Sequence, residues 1–290
     1  MGKVGNLTNY HSHCLYCDGR ANMELFIRFA LSEGFTSYGI SSHAPLPFPT
    51  AWTMEWECMD DYLSEISRLK EKYAGRIELL AGLEIDYLDE EHNPSSERFR
   101  SLPLDYRIGS VHMLRSMEGR VVDIDTSPEK FRQSVDRYFA GDLDYVVCLY
   151  YTNSMRMLRA GGFDIVGHPC KMHYNASRYR PGLEEEGWYN DLVSRFFEEI
   201  ARGGYIAEIN TKAYCDAGVF YPYERYFPLM KELGIRVQVN SDVHCPDLVN
   251  SGRPEALAAL KRAGFSSVTE WKDGGWTEVE IGRHAASPFG

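Results

Sequence analysis

Apolar and polar positions along this 290-residue chain alternate between two periods. Short stretches rich in β-branched and aromatic residues read as strands, and each is followed by a longer segment whose apolar residues recur three and four apart, as on a helix face. "LTNY" precedes a helical pattern over about 23–33; "SYGISS" precedes "MDDYLSEISRLKEKYAG", in which Tyr62, Ile66, Leu69 and Tyr73 share one face. "IELLAGLEIDY" and "DYRIGSVHM" read as further strands, followed by helices over about 128–142 and 145–160. "FDIVGHP", "YIAEINT", "RVQVNSDVH" and "SSVTEW" continue the strand series, separated by the helical stretches "WYNDLVSRFFEEIARGG", "ERYFPLMKELG" and "PEALAALKRAG". This order predicts an α/β protein built of βαβ units, and seven or eight such units predict a barrel rather than an open sheet. No linker or repeat interrupts the pattern, so one domain is expected over 1–290, with a core from about 5 to 272 and a C-terminal tail.

Composition narrows the partners. The chain is 44% hydrophobic and carries a net charge of −11, which excludes a broad basic surface of the kind that binds nucleic acid by releasing counterions. No apolar run reaches membrane-spanning length and no leader pattern opens the chain, so a cytoplasmic protein with no membrane partner is expected. Seven cysteines, an odd number without a paired framework, fit a reducing compartment, where the sequons at Asn6 and Asn175 mean nothing. An anionic substrate would have to be attracted locally, which points to bound cations.

Barrel active sites lie at the carboxyl ends of the strands. Reading each strand to its end gives His11 and His13, then His43, Glu84, His112, His168, and finally Asp242 with His244. Seven windows of about five residues cover roughly an eighth of the chain, so chance would place about one histidine there, whereas six of the nine occur. A single histidine at a strand end is ordinarily a packed or solvated residue; the accumulation predicts a metal centre, and imidazoles mixed with carboxylates suit zinc, manganese or iron. In "H-x-H" and "D-V-H" residues i and i+2 of a strand point the same way, so both side chains reach one ion. Glu84 has two oxygens with which to bridge ions. Asp18, in the loop after the first strand, is a weaker candidate on position alone.

"C-L-Y-C", Cys14 to Cys17, lacks a second cysteine pair at zinc-knuckle spacing and is expected to have no role beyond packing beside the ligands. Lys171 and Lys212 are the cations nearest the strand ends, either as phosphate contacts or as solvated surface lysines. Glu208 and Asn210 alternate on a strand and are expected to face the mouth, with Glu208 meeting the amine of an amino-alcohol phosphate. "PFPTAWTMEWECM" exposes Trp52 and Trp56 in a loop that is a lid, an edge packing or a subunit contact. His92, His173 and His284 receive no role.

Taken in order, "NYHSH", "HAPLP", "GLEIDY", "DYRIGSVHML", "FDIVGHP", "EINT" and "NSDVH" resemble the PHP (polymerase and histidinol phosphatase) metal-dependent phosphoesterases, and within them the histidinol-phosphate phosphatase group. The resemblance covers nearly the whole chain. It implies a distorted seven-stranded, TIM-like (β/α) barrel holding three divalent ions. Carried over by position, His11, His13, Glu84 and Asp242 would hold one ion, Glu84, His112 and His168 a second, and Asp18, His43 and His244 a third. Three such ions against three ligand carboxylates leave about +3 to attract a phosphate monoester. The implied reaction is hydrolysis of a small monoester, with L-histidinol phosphate leading, by a hydroxide held between ions; Glu84 would bridge, and Asp242 or His244 would orient the nucleophile or move its proton.

Two positions depart from the pattern: Ser42 stands where relatives usually carry an acid, and Cys245 where many carry Arg. The alternatives are a relative acting on nucleotides or sugar phosphates, and a metal-binding module without catalysis. An amidohydrolase would need a bridging lysine at a strand end, which is missing, and a proofreading nuclease would need a basic groove.

Overall fold

The structure, a computed structural model, describes residues 6–282; His284 lies outside them. In chain order the elements are β1 (Thr8–Asn9), α1 (Met23–Ser32), β2 (Ser37–Ile40), α2 (Met59–Lys72), β3 (Glu78–Ala81), β4 (Glu84–Asp86), α3 (Glu97–Arg100), β5 (Ile108–Ser110), β6 (Met113–Arg115), β7 (Val121–Asp123), α4 (Pro128–Tyr138) and α5 (Leu143–Ala160). They continue with β8 (Ile165–Val166), α6 (Met172–Tyr179), α7 (Gly187–Gly203), β9 (Ile206–Asn210), α8 (Tyr214–Ala217), α9 (Phe227–Glu232), β10 (Arg236–Asn240), α10 (Arg253–Arg262), β11 (Ser267–Lys272) and β12 (Gly275–Glu280).

Local chemistry sets several boundaries. Asn22 caps α1 by accepting the Leu25 N–H, and Asp142 caps α5 by accepting that of Tyr145. The helix expected over 128–142 stops at Tyr138, because Ala140 and Gly141 adopt left-handed backbone (φ 54° and 76°) and Asp142 then starts α5.

The parallel strands form two runs, β1-β2-β3 and β10-β9-β8-β5-β4. Two bridges join them. Ser12 pairs with Val243, tying the chain after β1 to the chain after β10, and His43 pairs with Glu84, tying the end of β2 to β4. With β3 and β4 counted as one bent strand, the circuit closes as seven strands, the distorted barrel expected. The eighth candidate, "SSVTEW", is not a barrel strand: β11 pairs antiparallel with β12, and that hairpin carries ordered structure past the boundary expected at 272. The β6–β7 hairpin, pairing Met113 with Asp123, was also absent from the sequence pattern.

Apolar clusters coat the outside of the barrel, one including Phe26 of α1 and Tyr62, Ile66 and Leu69 of α2, another including Tyr151 of α5, Phe196 and Phe197 of α7 and Leu257 of α10. Each such side chain contributes about 1.5–3 kcal/mol through burial. A third cluster, Tyr10, Leu80, Tyr106, Ile108, Ile165 and Ile206, packs with Trp271 and Trp276. The Tyr106 ring lies so close to Gly82 that a Cβ there would stand 2.3 Å from it, and its hydroxyl donates to the Tyr10 carbonyl at 2.5 Å. The barrel-strand members of this cluster precede the rim residues, so apolar and aromatic packing lies beneath the site. No described helix is long and apolar enough to cross a membrane.

Candidate active site

Six of the seven barrel strands deliver a histidine or carboxylate of the cluster at the rim; β9 does not. His11 and His13 flank the Ser12 bridge and therefore point the same way; His43 leaves β2 and pairs across to Glu84, the first residue of β4. His112 follows β5, His168 follows β8, and Asp242 and His244 follow β10. His168 (φ 28°) and Asp242 (φ 47°) hold left-handed backbone without being glycine, a conformation that costs about 1–3 kcal/mol each and is kept where surrounding structure fixes it.

Glu84 is the hub. Its Oε2 lies 3.1 Å from His11 Nε2, 3.5 Å from His13 Nε2 and 2.9 Å from His43 Nδ1. Its Oε1 lies 2.7 Å from His168 Nε2 and 3.3 Å from His112 Nε2, and accepts the Ser110 hydroxyl at 2.6 Å. Asp242 Oδ1 stands 3.1 Å from His13 Nε2 and 3.7 Å from both His11 Nε2 and His244 Nδ1. Asp18 Oδ1 sits 3.2 Å from His244 Nε2 and 3.9 Å from His43 Nε2. Four sets have donor atoms within 4.8 Å of one another: His13, Asp18, His43 and His244; His11, His168 and Asp242; His11, His13 and Glu84; and His43, Glu84 and His112. All nine residues expected as ligands belong to at least one set.

These residues fit a metal cluster on their own chemistry. His11 Nε2, His13 Nε2, His43 Nδ1 and Glu84 Oε2 are buried and have no hydrogen-bond partner among the described residues. Buried polar atoms are ordinarily paired, because each unpaired one costs about 1–3 kcal/mol. Here the unpaired atoms converge, as lone pairs do around cations.

Outer partners hold the imidazoles in orientation. Glu208 Oε1 meets His11 Nδ1 at 2.7 Å, and Asp86 meets His112 Nδ1 at 3.0 Å. Glu208 also accepts the His168 N–H at 2.6 Å and the amides of Asn210 and Asn240, both at 3.0 Å. This corrects the expectation for Glu208: it is fully buried with both oxygens engaged behind the ligands, so it cannot meet an amine at the mouth. Asn210 is likewise buried, donating to Glu208 and to Asp242 Oδ2 at 3.1 Å, and is a support rather than a substrate contact. Lys171 does reach the site but is held by Asp125 at 2.6 Å, whereas Lys212 lies 3.3 Å from Asp242 Oδ1 and 3.5 Å from His244 Nε2 with its side chain 39% exposed. Of the two departures, Ser42 is buried against the Cys14 thiol (3.2 Å), and Cys245 precedes a short turn at 246–248.

A cleft of about 200 Å³ opens over the cluster, lined by Asp18, His43, Trp52, His112, Asp123, Asp125, Lys212 and His244. Trp52 of the 45–57 loop stands edge-on to His43 (4.7 Å between ring centres) and His112 (5.5 Å), whereas Trp56 stacks on Phe99 away from the cleft. Asp123, Asp125 and Asp86 were not anticipated. Asp86 sits two residues after Glu84, and Asp123 and Asp125 share the same i, i+2 spacing in "VVDID", the one signal that could have marked them.

Burial opposes charge throughout the cluster, but neighbours decide the outcome. Glu84 stays well below the usual carboxylate range because His11, His112 and His43 surround it, and Asp242 does so because of Lys212 and His11. Burial works against the charged forms of His11 and His112, yet Glu208 and Glu84 beside the first, and Asp86 and Glu84 beside the second, hold both imidazoles well above the usual range. His13 is pushed well below it by burial and by His43 and His244. Without metal, His11 and His112 therefore carry protons near neutrality. Their stabilisation of the metal-free fold is complete below the ordinary histidine pKa and is lost as pH rises through their raised values. Metal uptake needs them neutral and releases those protons. The melting temperature gained on adding zinc should accordingly widen between about pH 6 and about pH 8, measured on stripped and reloaded protein; a gain that narrows over that interval contradicts this charge assignment.

Comparison with known proteins agrees with this geometry. The PHP domain model matches residues 9–212. A histidinol-phosphatase of Bacillus subtilis is 30% identical over 81% of this chain and 92% of its own length. A probable histidinol-phosphatase of Schizosaccharomyces pombe is 27% identical over 93% of this chain and 92% of its own. Among solved structures, histidinol phosphate phosphatase from Lactococcus lactis, complexed with zinc, L-histidinol and phosphate, superimposes with a TM-score of 0.68 at 17% identity, covering 93% of this chain and 98% of that one. From the matched residues, the similarity to the Bacillus protein and the seven-stranded barrel, it follows that this chain belongs to the PHP domain family.

Proposed function

We propose that the protein is a divalent-metal-dependent phosphoric monoester hydrolase acting on L-histidinol phosphate, releasing L-histidinol and phosphate. The observation that carries the reading is the convergence of nine donor side chains, four of them with buried unpaired atoms, beneath a cleft lined by Lys212 and by Asp123. The relatives named above act, by their names, on histidinol phosphate. Three divalent ions are proposed: the first with His11, His13, Glu84 and Asp242, the second with Glu84, His112 and His168, the third with Asp18, His43 and His244. Zinc, manganese and iron all suit these donors. Such ions would acidify water and offset the charge of the phosphoryl oxygens.

The chain's own residues do the rest. Asp242, kept ionised and with Oδ2 pinned by Asn210, presents Oδ1 to orient the attacking water. His244 Nε2 faces Asp18, so it serves as a donor rather than a proton carrier. Lys212 reaches over Asp242 and His244 and contacts the phosphate. Trp52 and Asp123, which also line the cleft, receive the alcohol, the ring giving it an apolar wall and the acid a match for its cationic groups.

Phosphate release across a panel of monoesters, including nucleotides and sugar phosphates, tests the reading. L-histidinol phosphate should be turned over most efficiently, and His11→Ala should lose that turnover. Equal release by both proteins, or preference for a nucleotide, would contradict the site or the substrate respectively.

A further inference from the structure

The ligand imidazoles differ in what holds them from behind. His11 Nδ1 meets the Glu208 carboxylate at 2.7 Å, His112 Nδ1 the Asp86 carboxylate at 3.0 Å, and His244 Nδ1 the Asp242 carbonyl at 3.1 Å. His13 Nδ1 instead meets a sulfur, Cys17 Sγ, at 3.6 Å. We propose that Cys17 is a positioning residue for His13: its sulfur accepts the Nδ1–H, so that Nε2 turns its lone pair to the metal cluster, and it does so without adding negative charge. The inference rests on the reading that this cluster holds divalent ions, and is independent of which monoester is cleaved.

The loop is built to place that thiol. After His13 the chain curls back on itself, with the Cys17 and Gly19 N–H groups both donating to the Cys14 carbonyl, at 2.9 and 3.2 Å. Gly19 packs directly on the His13 carbonyl, where a Cβ would stand 2.3 Å away, so a side chain at this position would push the loop off. Leu15 is thereby turned outward, 65% exposed, and Cys17 inward under the His13 ring. The next residue is Asp18, itself a donor, so one turn fastens one ligand and supplies another. The two cysteines of "C-L-Y-C" are therefore not equivalent, since Cys14 faces the Ser42 hydroxyl at 3.2 Å.

A neutral partner makes chemical sense here. Sulfur is a weak acceptor and holds the ring less firmly than a carboxylate would. A thiol is ordinarily uncharged near neutrality, whereas a carboxylate is not. Asp18, Glu84 and Asp242 already face the cluster, with Asp86 and Glu208 behind them. A further carboxylate would weaken the attraction for a phosphate dianion. Cys17 thus orients a ligand while leaving that attraction intact. On this proposal Cys17 does more than pack beside the ligands, the role expected of both cysteines.

Zinc affinity by competition with a chromophoric chelator, on the full chain, provides the test. Cys17→Ala should bind zinc about 10-fold more weakly, the lower end of the loss from removing an outer partner, and Cys17→Ser should lose less. Cys14→Ala should bind zinc as the unsubstituted protein does. Unchanged affinity in Cys17→Ala, or an equal loss in Cys14→Ala, overturns the proposal. A second measurement needs no variant: proton–nitrogen correlation spectra of the zinc-loaded protein should show His13 protonated on Nδ1, and a proton on Nε2 overturns it. A protein that takes up no zinc overturns the metal reading itself, and the role of Cys17 with it.

Discussion

Glu84→Ala should lower kcat for L-histidinol phosphate by about 1000-fold, well beyond the 10–100-fold that follows loss of an outer partner. The magnitude follows from position. Both Glu84 oxygens are shared among five imidazoles, His11, His13 and His43 on one side and His112 and His168 on the other, and the side chain is fully buried. No neighbouring carboxylate can reach both groups, because Asp242 faces His11 and His13 and Asp86 stands behind His112. Removal should therefore cost bound metal as well as rate, and elemental analysis of the purified variant should show fewer ions per chain. A variant with full metal content and a loss of less than about 10-fold would show that Glu84 does not bridge the ions.

Asp123→Asn separates the charge of the alcohol from the chemistry at phosphorus. Asp123 lines the cleft and makes no ion pair among the described residues, whereas Asp125 is held by Lys171. Asp123 is therefore the acid left for a cationic substrate group. A charge-assisted contact of about 1.4 kcal/mol corresponds to 10-fold, so kcat/KM for L-histidinol phosphate should fall about 10-fold. For p-nitrophenyl phosphate, whose leaving group is uncharged by any cation, it should stay within about 2-fold. Burial and the neighbouring Asp125 push the Asp123 carboxyl up to about 6, so the difference between the two proteins should shrink below that pH, where the native side chain is itself protonated. Equal losses for both substrates would place Asp123 in the metal chemistry rather than in recognition of the alcohol.

The barrel and the convergence of the nine donors are legible because both follow from short-range rules. Alternation marks strands, and two donors at i and i+2, as in His11 with His13 and Asp242 with His244, can only face one way. Depth was not legible. Glu208 and Asn210 of β9 alternate with the same period as Lys212 of the cleft, but periodicity states which side a residue takes and not how far below the rim it sits. Asp123 and Asp125 of the cleft are not legible for a different reason. β6 and β7 are three residues each, too short for a periodic signal, so Asp123 and Asp125 read as loop. Lys171 was located correctly near a strand end, but its ion pair with Asp125 depends on that unseen hairpin. Similarly, the unequal fates of Cys14 and Cys17 depend on a turn tightened by Gly19 against His13, a contact that no spacing rule encodes.

Metal dependence of turnover tests the central claim most directly. Protein stripped by chelation should release no phosphate from L-histidinol phosphate, and titrating zinc, manganese or iron back should restore release, saturating at a small fixed number of ions per chain. Undiminished release by the stripped protein would contradict it.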